Sequence, residues 1–262
     1  MQLHTVRLAF DIIGGRDRAV AIVELPKGAS QKEVATEVMR RHSNVKSVLA
    51  KEGPRAGQYR VYKLKLIAGS KQTEVVHQEH GMHLKLDPRT VFFSPREAEE
   101  RQRIAKLVKP GERVLVMFAG AGPYAIAIAK AQPRARVEAI ELNKAAVRYA
   151  LENVKLNGLG LRVKVHQGDA MDSPKLGLFD RIVMPLPESA WKFLPAAFRA
   201  CNKGGTIHLY GIAREKALFS ALEAKVKQAA KRLKTRYKII GKEKVLPYAP
   251  RTWKVRINIT IL

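Results

Sequence analysis

Two glycines carry the first chemical signal in the sequence. Gly120 and Gly122 lie in a run of small residues, AGAGP, which follows the apolar stretch Val114 to Phe118 and precedes an alanine-rich segment of helical composition. Glycines let the backbone approach a ligand closely, and the N-terminus of a helix offers free N–H groups to a carboxylate or a phosphate. The stretch therefore predicts a strand, a glycine turn and a helix that together bind a small, partly anionic molecule.

Two acidic side chains end the next predicted strands. Glu141 closes the run ARVEAIELN nineteen residues after Gly122, where nucleotide-binding folds use an acid to accept hydrogen bonds from a ribose diol, and Asp169 closes RVKVHQGD. The spacing Gly120-x-Gly122-x-x-Ala125 also fits the looser dinucleotide fingerprint. The turn alone therefore does not distinguish a nicotinamide cofactor from S-adenosylmethionine.

Strands and helices alternate along the second part of the chain and place these residues at one edge of a sheet. Two further strand-like runs follow, FDRIVMPLP (179–187) and TIHLYGIA (206–213). The alternation predicts an α/β fold with a mostly parallel, doubly wound sheet, in which ligands bind at the carboxyl ends of the strands. A basic helix from Glu215 to about Arg236 and a terminal antiparallel pair of strands complete the predicted fold.

Residues 1–90 lack a cofactor fingerprint. The strand-like runs Val6–Gly14 and Ala19–Pro26 predict a hairpin, and a capping box predicts a helix that begins after Ser30. We therefore predict two domains. A small α+β domain over residues 1–90 positions the substrate, and a catalytic α/β domain covers residues 91–262.

An excess of positive charge indicates a polyanionic partner. The 262 residues include 49 lysines and arginines against 23 acidic residues, a formal charge of +26. Surfaces that serve only solubility usually mix both signs, so this excess favours nucleic acid. Residues 214–256 alone contain fourteen lysines and arginines against three glutamates, which makes this segment a candidate surface for a phosphate backbone.

Compartment and metal binding follow from a few residue types. Cys201 is the single cysteine, which excludes an intrachain disulfide and suits a reducing compartment. No apolar run reaches the length of a membrane span and the N-terminus does not resemble a signal peptide, so we expect a cytoplasmic protein without a membrane partner. His77, His80 and His83 lie close together, but odd spacing puts the first two on opposite faces of a strand, and no metal site is predicted.

Eleven short motifs occur in an order that resembles a known family across nearly the whole chain. The similarity is to the archaeal and eukaryotic tRNA guanine-N1 methyltransferases that act beside the anticodon, and to their relatives in wybutosine synthesis. Their number and order argue against a chance match. The motifs are FDIIG (10–14), RRHSNVKSVLAK (40–51), GQYRVYKLKLIAG (57–69), VFFSPREAEERQRI (91–104), MFAGAGPYAIAIA (117–129), AIELN (139–143), ENVKLN (152–157), GDA (168–170), MPLP (184–187), IHLYG (207–211) and YAPRTW (248–253).

The resemblance implies a Rossmann-like class I methyltransferase domain that uses S-adenosylmethionine, preceded by a small domain that helps to bind tRNA near the anticodon. Full-length relatives often carry a further N-terminal domain for the outer corner of tRNA, and we expect that this chain begins too late to contain it. A monomer is expected. The residues that the resemblance places at the cofactor are Phe118, Ala119, Gly120, Gly122, Glu141, Leu142, Asp169, Ala170 and Pro185.

The resemblance also implies a catalytic pair, with Glu100 as the general base and Arg60 as its partner. The N1 atom of guanine carries a proton that must leave as N1 attacks a sulfonium methyl, while negative charge develops on O6. A carboxylate can accept the proton and a guanidinium can stabilise the oxygen. Without the family, Glu100 reads as a helix acid that complements the dipole, and Arg60 reads as a surface arginine.

Two positions depart from the family pattern. The family usually has Asn-Leu-Pro where this chain has Pro185-Leu186-Pro187, so a ring replaces an amide that is expected to hydrogen-bond near the target base. Because Pro185 stands where the family has this asparagine, we include it among the predicted catalytic residues. The family also favours an aspartate before Met-Phe-Ala-Gly, where this chain has Val116.

Three functions stay open on the sequence. Methyl transfer to N1 of guanosine 37 is the first choice, because Phe93-Ser94-Pro95-Arg96 resembles the methyltransferase branch of the family. Aminocarboxypropyl transfer in wybutosine synthesis is an alternative within the same fold, and a tRNA-binding homologue with impaired catalysis is an alternative of another class. A nicotinamide enzyme is disfavoured, since nothing in the sequence suggests a hydride-transfer site.

Overall fold

The computed structural model describes residues 8–55 and 57–262, and the first part of the chain forms a four-stranded sheet. Its order is β1-β2-β3-β4, with β2 and β3 parallel and the other pairs antiparallel. The predicted hairpin is confirmed for β1 and β2, while Val6 and Arg7 lie outside the described residues. The strands are β1 (Phe10–Gly14), β2 (Ala19–Val23), β3 (Val45–Lys51) and β4 (Leu64–Gly69).

Helix α1 (Gln31–Arg41) packs against this sheet. The Ser30 hydroxyl accepts a hydrogen bond from the Glu33 N–H at 3.5 Å, as the capping box predicts. Val34 and Val38 lie one helical turn apart and are both fully buried. The helix therefore forms where the cap and the apolar spacing agree.

A two-stranded hairpin, β5 (Val75–Glu79) and β6 (Met82–Leu86), connects the small sheet to the rest of the chain. Asn153 is fully buried, and its side-chain amide donates to the carbonyl oxygens of Lys85 and Ala121 at 2.9 and 3.0 Å. One buried hydrophobic cluster contains residues of all three sheets. The domain division at residue 90 therefore stays a prediction.

Seven strands form the main sheet, in the order β12-β13-β11-β10-β7-β8-β9. Strands β9, β8, β7, β10 and β11 are parallel neighbours, and β12 and β13 add two antiparallel strands at one edge. The predicted doubly wound α/β fold with a terminal antiparallel pair is thus confirmed. The strands are β7 (Arg113–Met117), β8 (Arg136–Glu141), β9 (Val163–Gln167), β10 (Phe179–Met184), β11 (Cys201–Arg214), β12 (Tyr237–Ala249) and β13 (Thr252–Ile261).

Five further helices pack on this sheet. One hydrophobic cluster includes residues of α2, α3 and α4, and a second includes residues of α5 and α6. The sheet is therefore covered on both faces, as parallel sheets require. The helices are α2 (Ala98–Leu107), α3 (Pro123–Ala131), α4 (Lys144–Leu156), α5 (Leu194–Ala200) and α6 (Ser220–Leu233).

Several element boundaries differ from the prediction. The basic helix α6 begins at Ser220 rather than Glu215, because Glu215–Ala217 forms a separate 3-10 helix. Strand β11 begins at Cys201 rather than at residue 206, because Gly204-Gly205 lies at an irregularity within the strand. A Cβ on Gly205 would lie 2.7 Å from Cys201 Sγ, so the backbone is closely packed at this point. Pro95 begins a short 3-10 helix (Pro95–Glu97), and α2 follows it.

The cysteine, the candidate metal ligands and the helices can each be checked for a redox, metal-binding or membrane role. Burial raises the pKa of the Cys201 thiol to about 12, so this side chain packs rather than reacts. Within residues 8–55 and 57–262, no cluster of three or more His, Cys, Asp or Glu side chains has the arrangement of a metal site. Over the same residues, no helix has the length and apolarity that crossing a bilayer requires.

A buried polar network lies between β10, β11 and β13. Arg181 pairs with Glu112 at 2.7 and 2.9 Å and lies 2.7 Å from His208 Nε2, while His208 Nδ1 lies 2.8 Å from Asn258 Oδ1. Arginine is always a donor, so His208 accepts at Nε2 and donates from Nδ1 to Asn258. Burial and the neighbouring Arg181 lower the pKa of His208 to about 3.

Replacing His208 by glutamine should make the protein less sensitive to acid. The unfolded histidine binds a proton near pH 6.5, whereas the folded one stays neutral down to about pH 3, so wild-type stability falls as the pH drops through this window. At pH 5 this loss is about 2 kcal/mol. Glutamine can accept a hydrogen bond from Arg181 and donate one to Asn258, and it does not titrate. The variant His208→Gln should therefore not show this loss of stability at pH 5. Urea unfolding of both proteins at pH 7 and pH 5 measures the difference, and an equal loss in both would contradict the expectation.

Candidate active site

A cavity of about 240 Å³ opens at the carboxyl ends of β7, β8 and β10, where the sheet topology predicts a ligand site. The strand-to-helix connections of the main sheet form one side, and residues between β3 and β4 form the other. The predicted site residues that line it are Arg60, Phe118, Gly120, Glu141, Leu142, Asp169, Ala170 and Pro185.

The turn between β7 and α3 has a left-handed backbone. Phe118, Gly120 and Gly122 have φ angles of 54°, 57° and 88°, a conformation that glycine adopts at no steric cost. Gly122 directly precedes α3, and a Cβ there would lie 3.5 Å from Ala150. Gly120 faces the cavity, whereas Ala119 and Gly122 shape the turn without lining it.

The Glu141 carboxylate joins this turn to the end of β8. Its Oε2 accepts the Gly120 N–H at 2.8 Å, and its Oε1 accepts the Asn143 N–H at 2.7 Å. An ionised carboxylate has about four acceptor positions. Glu141 can therefore hold the turn and still accept a hydroxyl from a molecule in the cavity.

Asp169 and two phenylalanines form further walls of the cavity. Asp169 Oδ1 accepts the Met171 N–H at 2.8 Å and so begins the short helix Ala170–Leu176. Phe118 and Phe193 meet edge to face, with ring centroids 4.8 Å apart. Aromatic rings beside a carboxylate suit a nucleoside, which needs an apolar surface for its base and acceptors for its polar edge.

The structure does not bring Glu100 and Arg60 together. Glu100 is only 3% exposed, and its Oε1 accepts the Tyr210 hydroxyl at 2.6 Å and pairs with Arg256. Its Oε2 pairs with Arg103. Glu100 is thus an ion-paired interior residue that does not line the cavity, and its role as general base stays a prediction.

Glu100 belongs to two matched ion pairs between the start of α2 and strand β13. Lys254 and Arg256 are two residues apart and share one face of the strand, while Glu97 and Glu100 are three residues apart on successive helical turns. Lys254 Nζ lies 2.7 Å from Glu97 Oε1, and Arg256 pairs with Glu100. Burial and the Glu100 carboxylate raise the pKa of Tyr210 well above its ordinary value, so its hydroxyl stays a donor.

Arg60 pairs with a carboxylate that the sequence did not single out. Its Nη2 lies 3.1 Å from Glu188 Oε1, which also accepts the Tyr248 hydroxyl at 3.0 Å and lies 3.5 Å from Arg55 Nη1. Burial alone would raise the pKa of Glu188, but Arg55, the backbone N–H of Glu188 itself, Tyr248 and Arg60 together hold it below its ordinary value. Glu188 is therefore ionised at neutral pH.

A second cavity, of about 310 Å³, borders the first and shares Arg55, Phe92 and Pro187 with it. It lies between the small sheet, the end of β12 and the loop before α2. The Arg55 guanidinium lies over the Phe92 ring at 4.6 Å from its centroid. The two adjoining cavities can hold two reactants side by side.

Fold and cavity together define a Rossmann-like methyltransferase domain. Residues 75–240 match the TRM5/TYW2 methyltransferase domain, and the chain belongs to this family. It is 38% identical over 256 residues to tRNA (guanine(37)-N(1))-methyltransferase Trm5b of Pyrococcus abyssi, covering 97% of this chain and 74% of that protein. It is 32% identical over 239 residues to a tRNA(Phe) (4-demethylwyosine(37)-C(7)) aminocarboxypropyltransferase of Methanocaldococcus jannaschii, covering 90% of this chain and 94% of that protein.

Solved structures confirm the predicted fold. The crystal structure of wild-type Trm5b from P. abyssi has a TM-score of 0.85 at 37% identity and covers 97% of this chain and 74% of that one. A complex of aTrm5 with tRNALeu has a TM-score of 0.83 at 29% identity, covering 98% and 73%. TYW2 of M. jannaschii in complex with AdoMet has a TM-score of 0.71 at 28% identity, covering 97% and 100%.

Sequence reasoning missed several residues of the cavity wall, among them Arg55, Phe92, Glu188 and Phe193. Glu188 directly follows the Pro185–Pro187 turn after β10, so its place beyond the carboxyl end of a strand was an available signal. Arg55 lies between β3 and β4 and Phe92 lies in the loop before α2, so their approach to the cavity depends on tertiary packing, whereas Phe193 ends the short 3-10 helix Ala190–Phe193 that follows β10.

Glu100→Gln should destabilise the protein. The substitution leaves Arg256 buried without its counter-charge, and breaking one partner of a buried ion pair costs about 3 kcal/mol or more. Urea unfolding measures the loss. The matched control is Glu99→Gln, because the Glu99 side chain is 79% exposed beside it, and its cost should stay within about 0.5 kcal/mol. Equal stabilities of the two variants would show that the buried pair is not structural.

Proposed function

We propose that the chain is a tRNA methyltransferase that transfers a methyl group from S-adenosylmethionine to N1 of guanosine 37. The observation that carries this proposal is the cavity at the carboxyl ends of the parallel strands, with Gly120, Glu141 and Asp169 in its wall. Relatives support it, since P. abyssi Trm5b is named for methylation of guanine 37 and the M. jannaschii TYW2 structure contains AdoMet.

The cavity residues fit this cofactor. Gly120 presents backbone without a side chain, and Gly122 shapes the turn behind it, so the methionine end can approach closely. Glu141 can accept hydrogen bonds from the ribose hydroxyls, and Asp169 can accept one from the adenine amino group. Leu142 and Ala170 add apolar surface in the same wall. When bound, S-adenosylmethionine supplies a methyl group on a positively charged sulfur.

The target base needs a proton acceptor and a positive charge in the same place. Guanine loses its N1 proton during the transfer, and the charge that develops on O6 is stabilised by a donor. Arg60 lines the cavity and suits the second role. Glu100 would reach the base only after its buried ion pairs with Arg103 and Arg256 opened.

The two departures from the family pattern both make the site less polar, because Pro185 stands where the family has an amide and Val116 stands where it has a carboxylate. Val116 is fully buried in β7, and Pro185 lines the cavity as a ring. We therefore propose that Pro185 contributes an apolar wall beside the target base, and that the hydrogen bond of the usual amide comes from another residue.

Aminocarboxypropyl transfer is the second candidate. The M. jannaschii relative with that name is 32% identical to this chain and is matched over 94% of its own length. This reaction attacks a different carbon beside the same sulfonium, so one cofactor cavity serves either chemistry. The nature of the transferred group is therefore the discriminating observation.

Labelled cofactor distinguishes the candidates. Purified protein is incubated with unmodified tRNA transcript and S-adenosylmethionine labelled separately in the methyl and carboxypropyl groups, and the nucleosides are identified by mass spectrometry. We expect N1-methylguanosine at position 37, because the relative named for methylation of guanine 37 is 38% identical to this chain and the relative named for aminocarboxypropyl transfer is 32% identical. Transfer of the larger group would favour the second candidate. Cofactor binding without any product would indicate a tRNA-binding homologue.

The tRNA backbone has a candidate contact on the exposed basic face of α6 and the start of β12, here called the C-terminal basic surface. Lys254 and Arg256 are buried in ion pairs and do not contribute to it. We propose that the protein acts in the cytoplasm as a monomer and binds phosphates through this surface. The surface comprises Lys227, Lys231, Arg232, Lys234, Arg236 and Lys238, all exposed.

Neutralising the C-terminal basic surface should reduce the salt dependence of tRNA binding. Each phosphate contact contributes about 0.7–0.9 to the slope of log K against log salt, so a quadruple variant that loses four contacts should lower the slope by about 2.8–3.6. Filter binding at several salt concentrations measures it. The substituted residues are Lys227, Lys231, Lys234 and Lys238, each changed to glutamine.

The matched control neutralises exposed lysines on the side of the sheet near β8 and β9, namely Lys130, Lys155 and Lys164. Their removal lowers the net charge without touching the proposed surface. A control slope that falls as much as the test slope would mean that only total charge matters. An unchanged test slope would locate the RNA elsewhere.

A further inference from the structure

A buried arginine fixes the loop that borders both cavities. Arg101 of α2 is 2% exposed, and its guanidinium forms a two-point ion pair with Glu79 of β5, in which Nε lies 2.6 Å from Oε1. Both Nη atoms donate to the carbonyl oxygen of Ser94 at 3.2 Å. A guanidinium has five donors in a fixed plane, so one side chain can hold a carboxylate and a carbonyl together. Arg101 thus joins α2, the hairpin and the loop before α2.

The Glu79 carboxylate has a second partner on its own strand. His77 Nδ1 accepts the Gly14 N–H at 3.2 Å, so Nε2 carries the ring hydrogen, and Nε2 lies 3.4 Å from Glu79 Oε2. Burial alone would raise the pKa of Glu79, but His77 and Arg101 hold it below its ordinary value. Glu79 is therefore ionised at neutral pH and balances the buried charge of Arg101.

Two adjacent phenylalanines connect this network to the cavities. Phe93 is buried, and its ring centroid lies 4.9 Å from that of His77 and 5.0 Å from the Arg101 guanidinium. Phe92 lies one residue earlier and lines both cavities. A shift of Phe93 or of the Ser94 carbonyl would therefore move the Phe92 backbone as well. The position of the Phe92 ring depends on the buried ion pair, although neither partner of that pair lines either cavity.

We infer that Arg101 and Glu79 are positioning residues for the transfer reaction, which act by holding Phe92 in the wall that the two cavities share. The inference rests on the proposed function. Aromatic rings stack on bases, so the Phe92 ring limits where a base can lie beside the cofactor. A displacement of about 1 Å at the reacting atoms can lower a rate by about 100-fold. The pair therefore acts on the orientation of the reactants, not on the proton or the methyl group.

A second ion pair of the same kind provides a matched control. Arg181 is 6% exposed and pairs with Glu112 through Nε and Nη2. This pair lies near the amino ends of β10 and β7, and it lines neither cavity. Lysine keeps the positive charge but lacks the planar fork. Arg101→Lys and Arg181→Lys should therefore lose comparable stability in urea unfolding, while only Arg101→Lys disturbs the loop that carries Phe92.

Arg101→Lys should lower the single-turnover rate constant of methyl transfer by about 10- to 100-fold, because the reactants are misaligned. The Kd values of tRNA and S-adenosylmethionine should stay unchanged, and Arg181→Lys should keep the wild-type rate. The Phe92→Ala background tests whether Arg101 acts through this ring. In that background Arg101→Lys should cause no further slowing, because residues that act through one contact are not additive.

Glu79→Gln removes the partner's charge at nearly constant size and should lower the rate in the same way, so it repeats the test where Arg101→Lys does not fold. Failure of both variants to fold where Arg181→Lys folds would make the pair a folding determinant and overturn the inference. A wild-type rate in Arg101→Lys, an equal loss in Arg181→Lys or an additive loss with Phe92→Ala would also overturn it. The proposed function stands in each case if the wild type forms N1-methylguanosine. A wild-type protein that forms none overturns both.

Discussion

The pairing of strand β13 with the start of α2 is the constraint on which the rest of the site depends. Lys254 and Arg256 lie on one face of β13 and point into the interior. There they form ion pairs with Glu97 and Glu100. Residues two apart in a strand share a face, and residues three apart in a helix lie on successive turns of one face. Lys254 and Arg256 can therefore meet Glu97 and Glu100 pairwise. Because all four groups are largely buried, each charge needs its partner. The loop before α2, which carries Phe92, is thereby fixed against the main sheet.

This arrangement divides the positive charge of the chain into two roles. A few cations, such as Arg101 with Glu79 and Arg256 with Glu100, are buried and serve as internal counter-charges. Most of the excess lies outside, on α6 and β12 in particular. Only the external group can release counterions when it meets a polyanion. The net charge of +26 therefore lies mainly on the surface. The few buried cations are paired with buried acids and are not available to a partner.

Local sequence patterns predicted the main sheet well, because each of its recognisable features spans only a few consecutive residues. The glycine turn, Glu141 and Asp169 each follow one strand, and parallel topology alone brings the strand ends to one edge. The start of β11 was predicted at residue 206 instead of Cys201, since the pair Gly204-Gly205 looks the same in sequence whether it precedes a strand or lies within one. The surroundings of the predicted catalytic pair could not be read from local patterns, for a different reason. Whether a helix acid such as Glu100 faces a cavity or an interior arginine depends on β13, about 150 residues away, and no local spacing encodes that contact.

The cavity wall also explains how an amide can be absent from the loop after β10 without leaving the site apolar. Pro185 fixes its own backbone and removes a donor, so the loop cannot use that position for hydrogen bonding. Three residues later, the Glu188 carboxylate contacts the guanidinium groups of Arg55 and Arg60 and the hydroxyl of Tyr248. Without this carboxylate, the two positive charges would lie close together with no counter-charge from it. Those donors saturate one oxygen and leave the other unpaired. A carboxylate held in this way keeps its charge beside the cofactor cavity, although burial alone would raise its pKa.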